Sequence, residues 1–548
     1  MRMFLRIMLI VLVASLSIAL LILSCDDDDD DNDDTNGNLN DDSDDDDNDD
    51  TGDDDQPDLA YDFPPGFLFG AATAGFQVDM GCPSLPAAQC ADTNADWYAY
   101  VTDPDVIARP LTFLADEDPN EVGPGHWELF EDDFDLAKNE LKHNAFRMSI
   151  EWSRIFPQST VDVEGYDNLL AVADADALAH YHSVFDALRE RGLQPLVTLH
   201  HYTMPTWLHD AVGCTLDFRN CERRGWLDAE VAVREIAKYA GFCAREFGGD
   251  VDLWATQNEP FAVLLSGYLL PTPTRSNPPA RVLDGDSLLT AYAAMIDAHA
   301  RMYDAIKEGD TIDADNDGGN AQVGLVYAVA PVRPHDAGQP NDQSAAENVF
   351  YMWNTAFLDA VALGMFDSHI NGEQVYREDL AGRMDFIGLN YKVRIVVDGL
   401  PFPLLPWLSP LTNFNPITLK FDEVYPQGIY DMAHWLQDRY GVPIHVTENN
   451  GQHLPRDDVD AEVRYLVEHF SWLAQAIDEG VDVRSYFYWA LMDNYEWNRG
   501  MHVPLGLYEV DPLDPLKTRI ARPTVPVFAA IAEANGVPVE LAEQYPIE

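Results

Sequence analysis

Two glutamates, Glu259 and Glu448, each stand beside an asparagine at the end of a short apolar run. Asn258 precedes Glu259 and Pro260 follows it, whereas Asn449 follows Glu448. Cleavage of a glycosidic bond needs one carboxyl to protonate the leaving oxygen and a second one to attack the anomeric carbon, with the two about 5 Å apart when configuration is retained. The pair therefore predicts a hydrolase that uses two carboxylates, although either glutamate alone would be an ordinary surface carboxylate at a strand end.

The elements that position this pair are strands that alternate with amphipathic helices. The first strand is predicted to begin with the apolar run at residues 67–73 and to end at Gln77. The others are predicted at residues 145–151, 195–199, 251–258, 322–328, 385–390, 443–449 and 483–489. The helices are predicted at residues 128–141, 178–191, 229–247, 288–307, 347–363, 429–440 and 459–479, with one more at the C-terminus. Eight such units predict an α/β fold, a single (β/α)8 TIM barrel over residues 59–548, with its active site at the carboxyl ends of the strands. Glu259 and Glu448 then end strands four and seven, which face each other across the barrel mouth.

The first 58 residues are predicted to lie outside this barrel. Arg2 and Arg6 stand at the start, and an apolar run from Ile7 to Leu23 leads to Ser24 and Cys25. This order resembles a bacterial lipoprotein signal peptide over residues 1–25, with lipid on the Cys25 thiol. An uncleaved anchor or an ordinary signal peptide is the alternative. Residues 26–58 hold twenty aspartates and no base, which predicts a disordered tether. We therefore expect an extracytoplasmic, membrane-anchored protein, at the periplasmic face or the cell surface.

Charge and cysteine content limit the partners and the compartment. The net charge is −62, and most of it lies beyond the tether, so binding to nucleic acid through charge is not expected. The pairs Cys82/Cys90 and Cys214/Cys221 are each close enough in sequence to form a small disulfide in an oxidising compartment. Cys243, in an amphipathic helical pattern, is expected to be a buried free thiol. The oligomeric state is not predicted.

Several motifs follow one another in the order of the strands. They are Phe63-Pro64 to Gln77, Arg147 to Pro157, His201, Asn258-Glu259-Pro260, Asp385 to Tyr391, Thr447-Glu448-Asn449 and Trp489 to Trp497. In this order the chain resembles the family-1 glycoside hydrolases, which are retaining β-glucosidases and β-galactosidases. A lone Asn-Glu-Pro would be a weak signal, but the ordered set spans nearly the whole globular part.

The resemblance implies roles for particular residues. It implies Glu259 as the acid/base and Glu448 as the nucleophile, with Arg147 holding Glu448 ionised. The residues implied to bind sugar are Gln77, His201, Asn258, Trp489, Glu496 and Trp497. Trp489 would form the floor of the pocket, and Glu496 would accept hydrogen bonds from two adjacent sugar hydroxyls. No cofactor is implied.

The chain departs from the family pattern after the sixth strand. The family has Asn-x-Tyr there, and its tyrosine hydrogen-bonds the nucleophile, but this chain has Asn390-Tyr391-Lys392. Lys392 either contacts Glu448 in place of the tyrosine, or points to solvent while Tyr391 fills the role through a shift of register. A contact would lower the pKa of Glu448.

A second acidic motif, Asp313-Ala314-Asp315-Asn316-Asp317-Gly318, resembles the first half of a calcium-binding loop. Position twelve would be Gly324 and not the bidentate glutamate. A calcium site at Asp313, Asp315 and Asp317 and a plain acidic turn both remain open.

These observations together predict an exo-acting β-glycosidase that releases a terminal sugar, with glucose preferred. One alternative is an endo-acting, cellulase-like barrel, which the Trp489 to Trp497 motif disfavours. Another is a catalytically silent sugar-binding surface lipoprotein, suggested by Lys392 but opposed by the two glutamates. A phospho-sugar specialist is disfavoured because Glu496 would repel a phosphate.

Overall fold

A computed structural model describes residues 57–315, 318–399, 420–451, 454 and 458–547. The predicted lipoprotein signal, its Cys25, the tether up to residue 56 and Asp317 lie outside these residues. Within the described ranges, no helix combines the length and the apolar character needed to cross a membrane.

Eight parallel strands close into one barrel, as the sequence predicts. In chain order they are β1 Leu68–Ala72, β2 Ala145–Ser149, β3 Gln194–His200, β4 Leu253–Asn258, β5 Gln322–Ala328, β6 Phe386–Tyr391, β7 Ile444–Asn449 and β8 Val483–Trp489. The strands are buried almost along their whole length, which is why they appear as near-continuous apolar runs in the sequence. Hydrogen bonds between β8 and β1 close the barrel.

The outer layer is a ring of helices, one after each strand. They are α1 His126–Asp135, α2 Ala175–Arg191, α3 Ala229–Phe247, α4 Gly285–Gly309, α5 Pro340–Phe350, α6 Gly428–Tyr440, α7 Val459–Asp478 and α8 Thr524–Ala534. Helix α2 shows how local sequence sets the bounds. The Asp174 side chain accepts hydrogen bonds from the first free amides, and Gly192 ends the helix with a left-handed φ of 61°.

Several predicted bounds differ from the structure, and two of the differences have a clear physical reason. The first strand was expected to run to Gln77, but β1 ends at Ala72 and Gln77 lies on a four-residue helix, Gly75–Val78. One helical turn is too short to show a 3.6-residue period in sequence. The helix predicted from residue 347 begins earlier, at Pro340, because Pro fits the first turn of a helix.

The cysteines and the chain ends stabilise this single barrel. Cys82–Cys90 and Cys214–Cys221 form disulfides, which the sequence had left open. Cys243 is a buried free thiol, as predicted. The strand Leu59–Asp62 pairs with Gly536–Pro538, so the start of the described chain is held against its end.

Candidate active site

At the carboxyl ends of the strands, the predicted nucleophile lies between two positively charged side chains. Glu448, in β7, is 2% exposed. Its Oε1 lies 2.9 Å from Nη1 of Arg147 and its Oε2 lies 3.0 Å from Nζ of Lys392. Burial alone would raise the pKa of this carboxyl, but Lys392 and Arg147 outweigh that effect and lower the pKa to about 2. Glu448 is therefore ionised at any physiological pH.

The predicted acid/base lies just beyond β4 in an unusual backbone conformation. Glu259 has φ 44° and ψ 54°, in the left-handed region, and its N–H donates to the carbonyl of Val326 in β5 at 2.9 Å. A non-glycine residue held in a sparsely populated region costs on the order of 1–3 kcal/mol. Such a cost is tolerated where it positions a functional side chain, and here it aims the carboxyl into the barrel mouth.

Neighbouring strands fix the Glu259 carboxyl. Tyr202, after β3, donates its hydroxyl to Oε2 at 2.6 Å, and Asn390 of β6 donates its amide to Oε1 at 2.8 Å. Arg147 reaches both halves of the site, because its second amino group donates to Oδ1 of Asn258 at 2.8 Å. The two glutamates are thus held in one hydrogen-bonded network.

Glu496 lies at the centre of the predicted sugar pocket. Its Oε2 accepts hydrogen bonds from Gln77 and Asn494, both at 3.0 Å. Its Oε1 lies 2.9 Å from Nη2 of Arg275. Polar groups from opposite ends of the chain therefore converge on one carboxylate, which has accepting capacity left for hydroxyl groups.

Aromatic rings form one wall of this pocket. The ring of His201 stacks on Trp489 at 5.6 Å and on Trp497 at 5.9 Å, with interplanar angles of 19° and 14°. Nε2 of His201 lies 3.2 Å from the amide of Asn258. Burial lowers the pKa of His201 well below its usual value, so the ring is neutral and offers one donor and one acceptor.

This arrangement matches a known family. Residues 59–537, which include all eight barrel strands, match the model of the protein family described as "Glycosyl hydrolase family 1". The chain belongs to glycosyl hydrolase family 1.

Relatives of this family align over almost the whole barrel. A β-galactosidase of Pyrococcus woesei is 35% identical over 528 residues, covering 88% of this chain and 99% of the relative. A β-galactosidase of Sulfolobus acidocaldarius is 34% identical and covers 87% and 96%. The solved β-glycosidase of Thermosphaera aggregans has a TM-score of 0.74 at 31% identity, covering 89% and 100%. The predictions of a family-1 glycoside hydrolase and of a retaining exo-β-glycosidase are confirmed, and membership agrees with the expectation that no cofactor is required.

The structure distinguishes between the two interpretations of the family-1 departure after β6. Successive side chains of a strand point to opposite sides, so Asn390 and Lys392 face the site together. Tyr391 lies on the other side, where its hydroxyl donates to the carbonyl of Tyr425. The predicted supporting role of Tyr391 at the nucleophile, through a register shift, is therefore wrong, and Lys392 takes that place.

The residues missed from the sequence include Tyr202, which contacts Glu259, and Arg275, which contacts Glu496. Tyr202 directly follows His201, and this position at a strand end was a signal that could have been used. Arg275 lies in the segment between Leu269 and α4, far in sequence from Glu496, and no local pattern marks it. Both contacts join distant parts of the chain, which explains why spacing did not reveal them.

Several buried polar atoms of the pocket have no hydrogen-bond partner among the described residues. They are Oε1 of Gln77, Nδ1 of His201, Nη1 of Arg275 and Oδ1 of Asn494. An unsatisfied buried polar group costs about 1–3 kcal/mol, so such groups gather where a ligand or water supplies the partner. A molecule with several hydroxyls fits this pattern of donors and acceptors.

Proposed function

We propose that the chain is a β-glucosidase in which Glu448 is the nucleophile and Glu259 the acid/base. The observation that carries the proposal is the buried, ionised Glu448 held between Arg147 and Lys392 beside the Glu259 network. Each Glu448 oxygen retains a lone pair after its contact with a cation, so the carboxylate can still attack. The names of the β-galactosidase and β-glucosidase relatives support a β-linked hexose as substrate.

The reaction then proceeds in two displacements. Glu259 gives its proton to the glycosidic oxygen while Glu448 bonds to the anomeric carbon and the aglycone leaves. Glu259, now ionised, takes a proton from water, and the water oxygen displaces Glu448 with overall retention. Tyr202 and Asn390 hold Glu259 in one orientation through both steps, which reduces the entropy that must be lost to reach each transition state.

A panel of aryl glycosides tests this proposal. The chain from residue 59 should hydrolyse the β-glucoside with the highest kcat/KM, the β-galactoside more slowly, and α-glucosides not at all. Arg275 offsets part of the Glu496 charge, so repulsion alone does not exclude an anionic sugar and the panel should include the 6-phospho-β-glucoside. Hydrolysis of the phosphorylated sugar alone, or a fall in the viscosity of a soluble cellulose, would contradict the proposal.

We further propose that lipid on Cys25 anchors the enzyme to a membrane, with the enzyme on the extracytoplasmic side. The proposal is supported by the basic start, the apolar run and the aspartate-rich spacer that follows. Several acyl chains on one cysteine give firm membrane binding, whereas a single chain does not.

Labelling with palmitate in a bacterial host tests the anchor. Cys25→Ala should lose the label, because the only proposed acceptor thiol is gone. Cys243→Ala is the matched control, since that thiol is buried and should leave labelling unchanged. Equal labelling of the wild type and Cys25→Ala would show that the lipoprotein interpretation is wrong.

A further inference from the structure

A second group of carboxylates lies at the end of the barrel opposite to Glu259. Asp252 directly precedes β4, and Asp313 and Asp315 lie in the segment between α4 and β5. One carboxylate oxygen from each of the three lies within 4.8 Å of the others. β4 begins beside Asp252 and ends beside Glu259, so this group is separate from the catalytic site.

The three carboxylates concentrate negative charge in a small volume. In the part of the chain that the structure describes, neither Asp252 nor Asp313 has a Lys, Arg or His side chain within ion-pair distance. Carboxylates this close repel one another unless they share a proton or a cation.

Two of the oxygens are buried and accept no hydrogen bond from the residues that the structure describes. Asp252 is only 6% exposed, and its Oδ2 accepts from the backbone N–H of Asp315 at 2.5 Å. Its other oxygen, Oδ1, has no partner among the described residues, and neither has Oδ1 of Asp313. Asp315 accepts from the side-chain amide of Gln194 at 2.7 Å, but the two buried Oδ1 atoms have no such donor in the described part of the chain. Buried acceptors without donors are satisfied by a cation or by water, and here the excess of negative charge favours the cation.

Asp252 also supplies what the sequence motif lacked. The spacing of Asp313, Asp315 and Gly318 follows a calcium loop, and Gly318 has φ 92° with its N–H donating to Oδ2 of Asp313 at 3.1 Å. Position twelve, Gly324, lies within β5 and offers no carboxylate. Asp252, which is far away in sequence, places its carboxylate against the same group instead.

We propose that Asp252, Asp313 and Asp315 bind one Ca²⁺ ion that fastens the segment before β5 to the start of β4. Carboxylate oxygens on irregular backbone, with room for carbonyl and water ligands, are what Ca²⁺ accepts, whereas Mg²⁺ demands a near-ideal octahedron. Because the site lies at the opposite end of the barrel from Glu259, the ion stabilises the fold and takes no part in hydrolysis. The proposal does not depend on the identity of the substrate.

The experiment is a thermal melt of the full chain, first depleted with a chelator and then titrated with Ca²⁺. At 100 times the dissociation constant, the Tm of the wild type should rise by about 2–3 °C, the shift expected for a chain of this size. Asp252→Asn and Asp313→Asn should each lose this rise. Asp438→Asn, which removes an exposed aspartate on α6, is the matched control and should keep it.

Two further readouts separate a bound ion from general charge effects. Without calcium, Asp252→Asn should melt no lower than the depleted wild type, because the substitution removes repulsion and keeps the shape. Terbium should luminesce when the protein is excited at tryptophan, since Trp254 is two residues from Asp252, and Asp252→Asn should weaken terbium binding at least tenfold. If Ca²⁺ raises the Tm equally in the wild type and Asp252→Asn, or in neither, the site does not exist and the aspartate-rich tether accounts for any bound calcium.

Discussion

Glu448→Gly should abolish turnover of aryl β-glucosides, and azide should then restore it with an α-glycosyl azide as the product. Deleting a covalent nucleophile is expected to lower kcat by about 10⁴- to 10⁶-fold. The glycine leaves a space between Arg147 and Lys392 that a small anion can enter. Azide in that space attacks from the face that Glu448 occupied, so one displacement inverts the configuration. Product analysis by NMR gives the anomer.

Glu259→Gly is the matched control because it removes the other carboxyl. It should still form the glycosyl-enzyme from substrates with good leaving groups, and azide should then give the β-glycosyl azide. If Glu448→Gly gave the β-glycosyl azide and Glu259→Gly gave the α-glycosyl azide, the assignment of nucleophile and acid/base would have to be reversed. Failure of azide to rescue either variant, with both correctly folded, would contradict double displacement.

Much of the fold follows from local sequence, because a barrel strand is buried along its length. The strand predicted at residues 322–328 coincides with β5, and the strand at 483–489 coincides with β8. Apolar runs between amphipathic helices are enough to place such strands. The four-residue helix that carries Gln77 could not be predicted in this way, since a single turn does not repeat the 3.6-residue period by which helices are recognised.

Residues of the active site could be predicted only where they belong to a recognisable sequence motif. Glu259 and Glu448 were found because each stands beside an asparagine at a strand end. The left-handed backbone of Glu259 has no sequence signal, since glutamate gives no hint of a positive φ. Tyr202 and Asp252 act through contacts made by folding, and spacing along one segment does not carry that information.

Lys392→Met should move the acid limb of the kcat/KM profile upward by about one pH unit, because Glu448 loses a neighbouring cation. Burial alone would lower the pKa of Lys392, but Glu448 and Glu259 raise it, so the lysine is charged wherever the enzyme works. This charge helps to hold the pKa of Glu448 near 2. Glu448 must be ionised to attack, so activity disappears as the pH falls through its pKa. When that pKa rises, the loss begins at a higher pH.

Three companion variants decide whether charge or shape is responsible. Lys392→Arg keeps the charge and should leave the acid limb in place, whereas Lys392→Tyr should move it upward, although its hydroxyl still offers a hydrogen bond. Tyr391→Phe should not move it, because that hydroxyl bonds the carbonyl of Tyr425 and not Glu448. An acid limb that moved in Tyr391→Phe and stayed in both neutral Lys392 variants would show that Lys392 does not set the pKa of the nucleophile.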